Sequence, residues 1–310
     1  MINLDTLLQQ ILNGLVLGSV YALVALGYTM VYGILQLINF AHGDVLMVGA
    51  MVGVTTVMLL SKSGLPGPVL LLIGILVAVP VCVLLSLFIE RVAYRPLRNA
   101  PRLAPLITAI GVSIVIQTVA MIIWKPNPIV FPDLLPTAPV EIGGAILAPK
   151  QILILVVSAL MMVGLMLLVN KTKLGRAMRA TAENPRIAGL MGVNVNQVIA
   201  ATFAIGAALA AVAGLLVALN YNIVQFSMGF IPGLKAFTAA VLGGIGNLAG
   251  AMVGGLLLGL IESLGAGYIG DLTGGFLGSH YQDIFAFVVL IVVLVFRPSG
   301  IMGERVADRA

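Results

Sequence analysis

Groups able to do chemistry are scarce in this chain, so each one set inside an apolar run is informative. It carries 16 Lys and Arg, 11 Asp and Glu, two His and one Cys among 310 residues. No HExxH, GxSxG or paired-cysteine pattern occurs, which leaves hydrolytic and metal chemistry without a foothold. No GxxxxGK[ST] sequence occurs, so ATP hydrolysis by a P-loop is excluded. The run Gly244-Ile-Gly246-Asn-Leu-Ala249 imitates a dinucleotide fingerprint, but no strand precedes it and an apolar helical run surrounds it. The expectation is a non-catalytic chain that takes no cofactor and no metal.

What remains is polar residues where lipid should be. The first cluster is Asn39-Phe40-Ala41-His42-Gly43-Asp44, inside an apolar stretch running from about Leu7 to Leu60. An ionised Asp in mid-helix costs roughly 2.5–3.5 kcal/mol on insertion scales. That cost is tolerable if the helix breaks there or the carboxylate faces a cavity or the interface. One reading is a tight turn with Asp44 capping the second helix; the other is a discontinuous helix along a substrate path. The second cluster is Gly243, Gly244, Gly246, Asn247 and Gly250. Its glycines either expose backbone groups to a cavity or let helices pack closely. The pentapeptide GAMVG follows both breaks, at 49–53 and 250–254. Paired glycine-broken segments in the two halves of a chain point to a transporter site. Glu262, near the end of an apolar run, fits a helix-packing or interfacial role better than a proton-coupling one. Trp124 and Tyr268 read as interfacial aromatics, and His280 as a loop residue.

The elements that hold these residues follow from composition. The chain is 61% hydrophobic and 9% charged, with mean hydropathy +1.16. Soluble domains run near 45–50% and 25%. A transmembrane barrel would alternate polar and apolar residues, and these segments do not. The expectation is a single all-α polytopic membrane domain over 1–310, with eight to ten transmembrane helices, some discontinuous. The net charge of +5 does not imply nucleic acid, because 12 of the 16 Lys and Arg fall in 91–102, 171–186 and 297–309. That clustering is the positive-inside pattern and puts the C-terminus in the cytoplasm. Cys82 stands alone in an apolar run and forms no internal disulfide. The first residues lack a basic n-region and carry Asp5, so no secretory signal is expected. Residues 125–150 read as an external proline-rich segment with a hairpin at 140–147 around Gly143-Gly144. Residues 265–283 read as a glycine-rich connection.

The segment 171–196 is the strongly basic interval between two spans. Asn184 and Pro185 read as an N-cap followed by proline at the first helical position. Gly192 closes the short helix in a left-handed conformation. Ile187, Leu190 and Met191 share one face at i, i+3 and i+4. Orientation alone needs basic charge; caps and an apolar face suit docking to a partner. Arg176, Arg179, Glu183 and Arg186 would surround that face.

This stretch also carries a family likeness. The run GRAMRATAENPRIAGLMGVNVNQVIAATFAIGAALAAVAGLL, at 175–216, resembles the cytoplasmic coupling region of permease subunits in branched-chain amino-acid ABC importers of the LivH/LivM type. The likeness continues through INFAHGD (38–44), ERVAYRPLR (90–98), PRLAPLITAIG (101–111) and KAFTAAVLGGIGNLAGAMVGGLLLG (235–259). Only Ala182-Glu183 corresponds to the EAA-type signature of many ABC importers, so the likeness carries the location of the coupling region and not that signature. It implies a permease in the bacterial cytoplasmic membrane that passes leucine, isoleucine or valine. It also implies a second permease subunit of the same type, two ATP-binding subunits and an external solute-binding protein. Urea and short-amide permeases of the same architecture are the nearest alternative; a self-sufficient ion-coupled carrier using Asp44 or Glu262 is the alternative of another class.

Overall fold

The computed structural model describes residues 4–98, 100–101, 103–136, 138–274 and 282–303; His280 and the basic tail past 303 lie outside them. The chain is an all-α polytopic membrane protein. Among the described residues, seven helices are long and apolar enough to cross a membrane, and two shorter apolar helices join them. With the short basic-end helices α6 and α7 included, the order is α1 (Leu4–Leu35), α2 (His42–Leu60), α3 (Gly67–Ile89), α4 (Leu103–Trp124), α5 (Pro149–Lys171), α6 (Lys173–Glu183), α7 (Pro185–Leu190), α8 (Val195–Tyr221), α9 (Phe230–Gly243), α10 (Leu248–Leu272) and α11 (Gln282–Phe296). A π-helical turn, Glu90–Tyr94, and a 3-10 turn, Arg95–Leu97, carry α3 onward.

Burial sorts the helices into a core and a rim. Over their most apolar windows α1 is 89% buried and α8 83%, against 22% for α4 and 28% for α5. The rim helices turn Leu84, Phe88, Ile107, Ile122 and Leu160 outward, where lipid tails are the natural neighbours. Without a hydrophobic drive between helices in lipid, small residues let backbones approach and gain dispersion contact. α1 and α10 pack antiparallel on such residues: a Cβ on Gly14 would lie 2.8 Å from the Leu260 Cα, and one on Gly18 2.8 Å from the Leu256 Cα. The same logic corrects the first part, 265–272, of the reading of 265–283 as a connection; residues 275–281 lie outside the described ones. α10 stays helical to Leu272, and Gly267 makes room for the Gln10 side chain of α1. Gly267 serves packing, while Gly274, at φ 62°, lies in the turn that follows the helix.

The basic segments lie at one end. Arg98 donates to Asn196 at the start of α8 (2.6 Å), Arg179 bonds the Val169 carbonyl, and Met302 N–H donates to the Gly243 carbonyl (2.9 Å). The opposite end is closed by the proline-rich segment. There β1 (Ile129–Val130) pairs antiparallel with β4 (Ile223–Val224), and β2 (Val140–Ile142) with β3 (Ala145–Leu147). The β2–β3 hairpin turns on Gly143 (φ 61°) and Gly144 (φ 91°), positive angles that glycine adopts freely. Gln9 of α1 grips it through the Ile146 N–H and carbonyl, at 2.8 and 3.0 Å.

Candidate functional site

The first break does not form a tight surface turn. Residues 36–41 leave the end of α1, with Gln36 at φ 54°, and climb back into the bundle before α2 begins. A Cβ on Gly27 would run into the His42 ring. Gly27 lies eight residues, about 12 Å, from the end of α1. Asn39 accepts a hydrogen bond from the buried Tyr94 hydroxyl at 2.9 Å, fastening the climbing segment to the end of α3. The His42 ring meets Tyr28 edge-on, with centroids 4.8 Å apart.

A second helix also starts inside the bundle. α9 has only 14 residues, and its first turn meets the first turn of α2. A Cβ on Gly43 would lie 2.5 Å from the Gly229 carbonyl oxygen and 3.1 Å from the Gly233 Cα. Only glycine allows that crossing. Beside it a cavity of about 270 Å³ is lined by Tyr28, Phe40, Asp44, Ser113 and Phe230, among others. Asp44 does not cap α2, which has no side-chain cap. Its carboxylate accepts instead from Gln117 of α4 at 2.9 Å, and Gln117 also reaches Ser113 at 3.2 Å. A carboxylate inside the bundle is thus held by neutral donors beside the meeting point of two interrupted helices.

The second break is a turn at the basic end. Gly244 and Gly246 take φ 108° and 99°. Asn247 caps α10 by accepting from the Gly250 N–H at 3.0 Å, and donates to the Met302 carbonyl at 2.9 Å. Gly243 and Gly250 pack backbone to backbone. Gly246 and Leu248 share a small crevice with Met178 and Arg179 of α6.

The short basic-end helix forms as its sequence dictates. The Asn184 side chain accepts from the N–H groups of Arg186 and Ile187 at 3.0 and 3.1 Å, Pro185 opens α7, and Gly192 closes it at φ 85°. Ala188 is buried and seats the helix, while Ile187, Leu190 and Met191 are 57%, 82% and 80% exposed. Arg176, Glu183 and Arg186 are exposed around them. Arg179 is engaged: its guanidinium bonds the carbonyl at the end of α5. The helix before it, α6, was not read from the sequence. Its signals are there: Thr172 caps it through the Gly175 N–H at 3.0 Å, and Leu174, Ala177, Met178 and Thr181 follow helical spacing toward the core.

Of a third cluster the sequence reading named only Glu262. Lys235 of α9 is 4% exposed and pairs with Glu262 of α10 at 2.8 Å and with Asp283 of α11 at 2.7 Å. The Tyr21 hydroxyl donates to Glu262 at 3.0 Å and lies 3.4 Å from the Lys235 ammonium. Glu262 is therefore a buried packing residue and not an interfacial one. The available signal was Lys235 itself, a lone cation in an apolar run far from the basic segments, and such a residue calls for a partner. Trp124 is tied down as well, its indole donating to Thr55 at 2.8 Å.

Known proteins share this arrangement of sequence. The family model described as the permease component of the branched-chain amino acid transport system matches residues 10–294. The high-affinity branched-chain amino acid transport system permease protein BraD of Pseudomonas aeruginosa is 48% identical over 307 residues, 97% of each chain. LivH of Escherichia coli, of the same description, is 44% identical over 97% of each chain. A probable branched-chain amino acid transport permease protein LivH of Methanocaldococcus jannaschii is 32% identical over 95% of this chain and 92% of its own. No solved structure matches. With the family model spanning nearly all its helices and relatives alike from end to end, the chain belongs to the branched-chain amino acid transport permease family.

Proposed function

We propose that this chain is one of two permease subunits of an ATP-driven importer for leucine, isoleucine and valine in the bacterial cytoplasmic membrane. In this reading the basic end is cytoplasmic, as clustered Lys and Arg require, and the C-terminus lies there. The β2–β3 end faces outward, toward a solute-binding protein that delivers the substrate and supplies most of the selectivity.

The observation that carries the reading is the exposed apolar face of α7. Three large apolar side chains stand out from a capped, rigid helix at the basic end, where water rather than lipid is the neighbour. Burying such anchors supports association, and rim charges steer it. The fitting partner is an ATP-binding subunit, since this sequence has no P-loop of its own. One chain offers one such face, so two motors call for a second permease. Arg176 and Arg186 form the rim with Glu183, and Arg179 binds α6 to α5, so that a push on α7 reaches Gly246 through α6. Gly243, Gly244, Gly246 and Asn247 then act as a gate hinge. Asn39, His42, Gly43 and Asp44 line or brace the path where α2 and α9 begin.

Two measurements test this. Leu190→Asp leaves the protein in the membrane and abolishes co-purification of the ATP-binding subunits; undiminished co-purification removes the docking face. Proteoliposomes holding both permeases, both ATP-binding subunits and the binding protein take up labelled leucine with ATP. Uptake by this chain alone, driven by a proton gradient, replaces the reading with an ion-coupled carrier.

A further inference from the structure

At the end opposite the basic segments, a cavity of about 540 Å³ opens between α1, α8 and the start of α9. Its volume lies within the range of small-molecule sites, about 300–1,000 Å³. Leu17, Val20, Val217, Met228 and Ile231 supply an aliphatic wall, and Lys235 and Tyr21 supply the polar one. Among the described residues Lys235 is the sole cation on its lining. We propose that this cavity binds a free α-amino acid, with the branched side chain against the aliphatic wall and the carboxylate on Lys235. The ligand class rests on the transport reading above; the site itself rests on the geometry.

The ion cluster fits such a ligand by exchange. An ammonium has three donors. Two go to Glu262 and Asp283, and the third points to the Tyr21 oxygen at a long 3.4 Å. Glu262 is fully buried and fixed by Tyr21, so it holds the lysine charged and oriented. The Asp283 side chain is 41% exposed, so it is the more open of the two carboxylates and the one that can give way. A ligand carboxylate takes its place on Lys235, and the released Asp283 carboxylate takes the ligand ammonium. The zwitterion adds one positive and one negative charge, so the net charge of the cluster is unchanged and no ion is left unpaired. A purely structural tie between α9, α10 and α11 needs no adjoining cavity, and a hydrophobic pair would serve such a tie as well or better.

The test is photo-crosslinking of the purified, assembled transporter with the diazirine analogue of leucine, read by peptide mass spectrometry. Adducts should fall on the segments holding Leu17–Val20 and Met228–Ile231. Excess leucine should suppress them at least fivefold, and leucinamide, which lacks the carboxylate, should not. The double variant Lys235→Met/Glu262→Gln removes the fully buried carboxylate together with its cation and leaves only the part-exposed Asp283 unpaired, and should lose these adducts at least fivefold while still assembling. Met228→Trp, which fills the cavity and leaves the ions alone, should lose them too. Adducts confined to other segments, equal suppression by leucinamide, or full labelling of either variant overturns the site. If the wild-type transporter imports leucine yet shows no adduct here, the site fails and the transport reading stands. If it imports no leucine, that reading fails and takes the ligand class with it.

Discussion

Two stretches of this chain share a signature: a glycine-containing break, an Asn, and then GAMVG within a helix. They do different work. The break at 36–44 climbs into the bundle, so that α2 begins beside the buried first turn of α9 and leaves Asp44 at a cavity. The break at 243–250 stays at the basic end, where Asn247 caps α10 and the chain past Arg297 closes over it. The difference lies in what stands across from each glycine. Gly43 faces the backbone of another interrupted helix, whereas Gly246 faces open space. In the reading proposed above, a break becomes part of the path only where a second break meets it.

The comparison breaks most visibly at Gly43. Gly43→Val should abolish leucine uptake in the reconstituted transporter, a loss of more than a hundredfold, because its side chain would run into the Gly229 carbonyl. Uptake within threefold of wild type would place the path elsewhere. Asp44→Asn keeps the shape and the Gln117 contact and removes the charge. It should lower uptake about tenfold with the midpoint of thermal unfolding nearly unchanged, and a midpoint that falls as far as uptake does would make Asp44 a structural residue. Asn247→Ala should show the reverse pattern. It loses a helix cap, about 1 kcal/mol of stability, while uptake falls by less than half. The smallest effect on uptake belongs to Gly246→Ala. Its φ of 99° disfavours a side chain by roughly 1–2 kcal/mol per residue, but nothing lies within 4 Å to collide with. A drop in uptake there larger than the drop in stability would sharpen the gate-hinge role by showing that this turn must move.

Several features were legible residue by residue. The caps of α7 were visible as Asn184, Pro185 and Gly192, because capping is settled within four or five residues of backbone. The β2–β3 turn was visible as Gly143-Gly144 for the same reason. The all-α membrane class was visible in composition, since lipid admits few charges and requires every backbone group to be bonded within its own segment. The reading failed where glycine is ambiguous. Gly265 and Gly267 looked like a connection and turned out to lie inside α10, because in lipid a small residue within a helix, as Gly267 is beside the Gln10 side chain, lets a neighbouring helix pack closely.

What sequence alone determined, then, is whatever forms over one or two turns of chain: the caps, the hairpin, the apolar spans and the basic end. What tertiary structure decided is which polar groups meet. Tyr21 and Glu262 are 241 residues apart, Asp44 and Gln117 73 apart, and Gly43 meets Gly229 from across the chain. No local propensity encodes those pairs. They exist because a buried charge or backbone dipole in a membrane protein must find a partner, and only the packed bundle determines which partner is within reach.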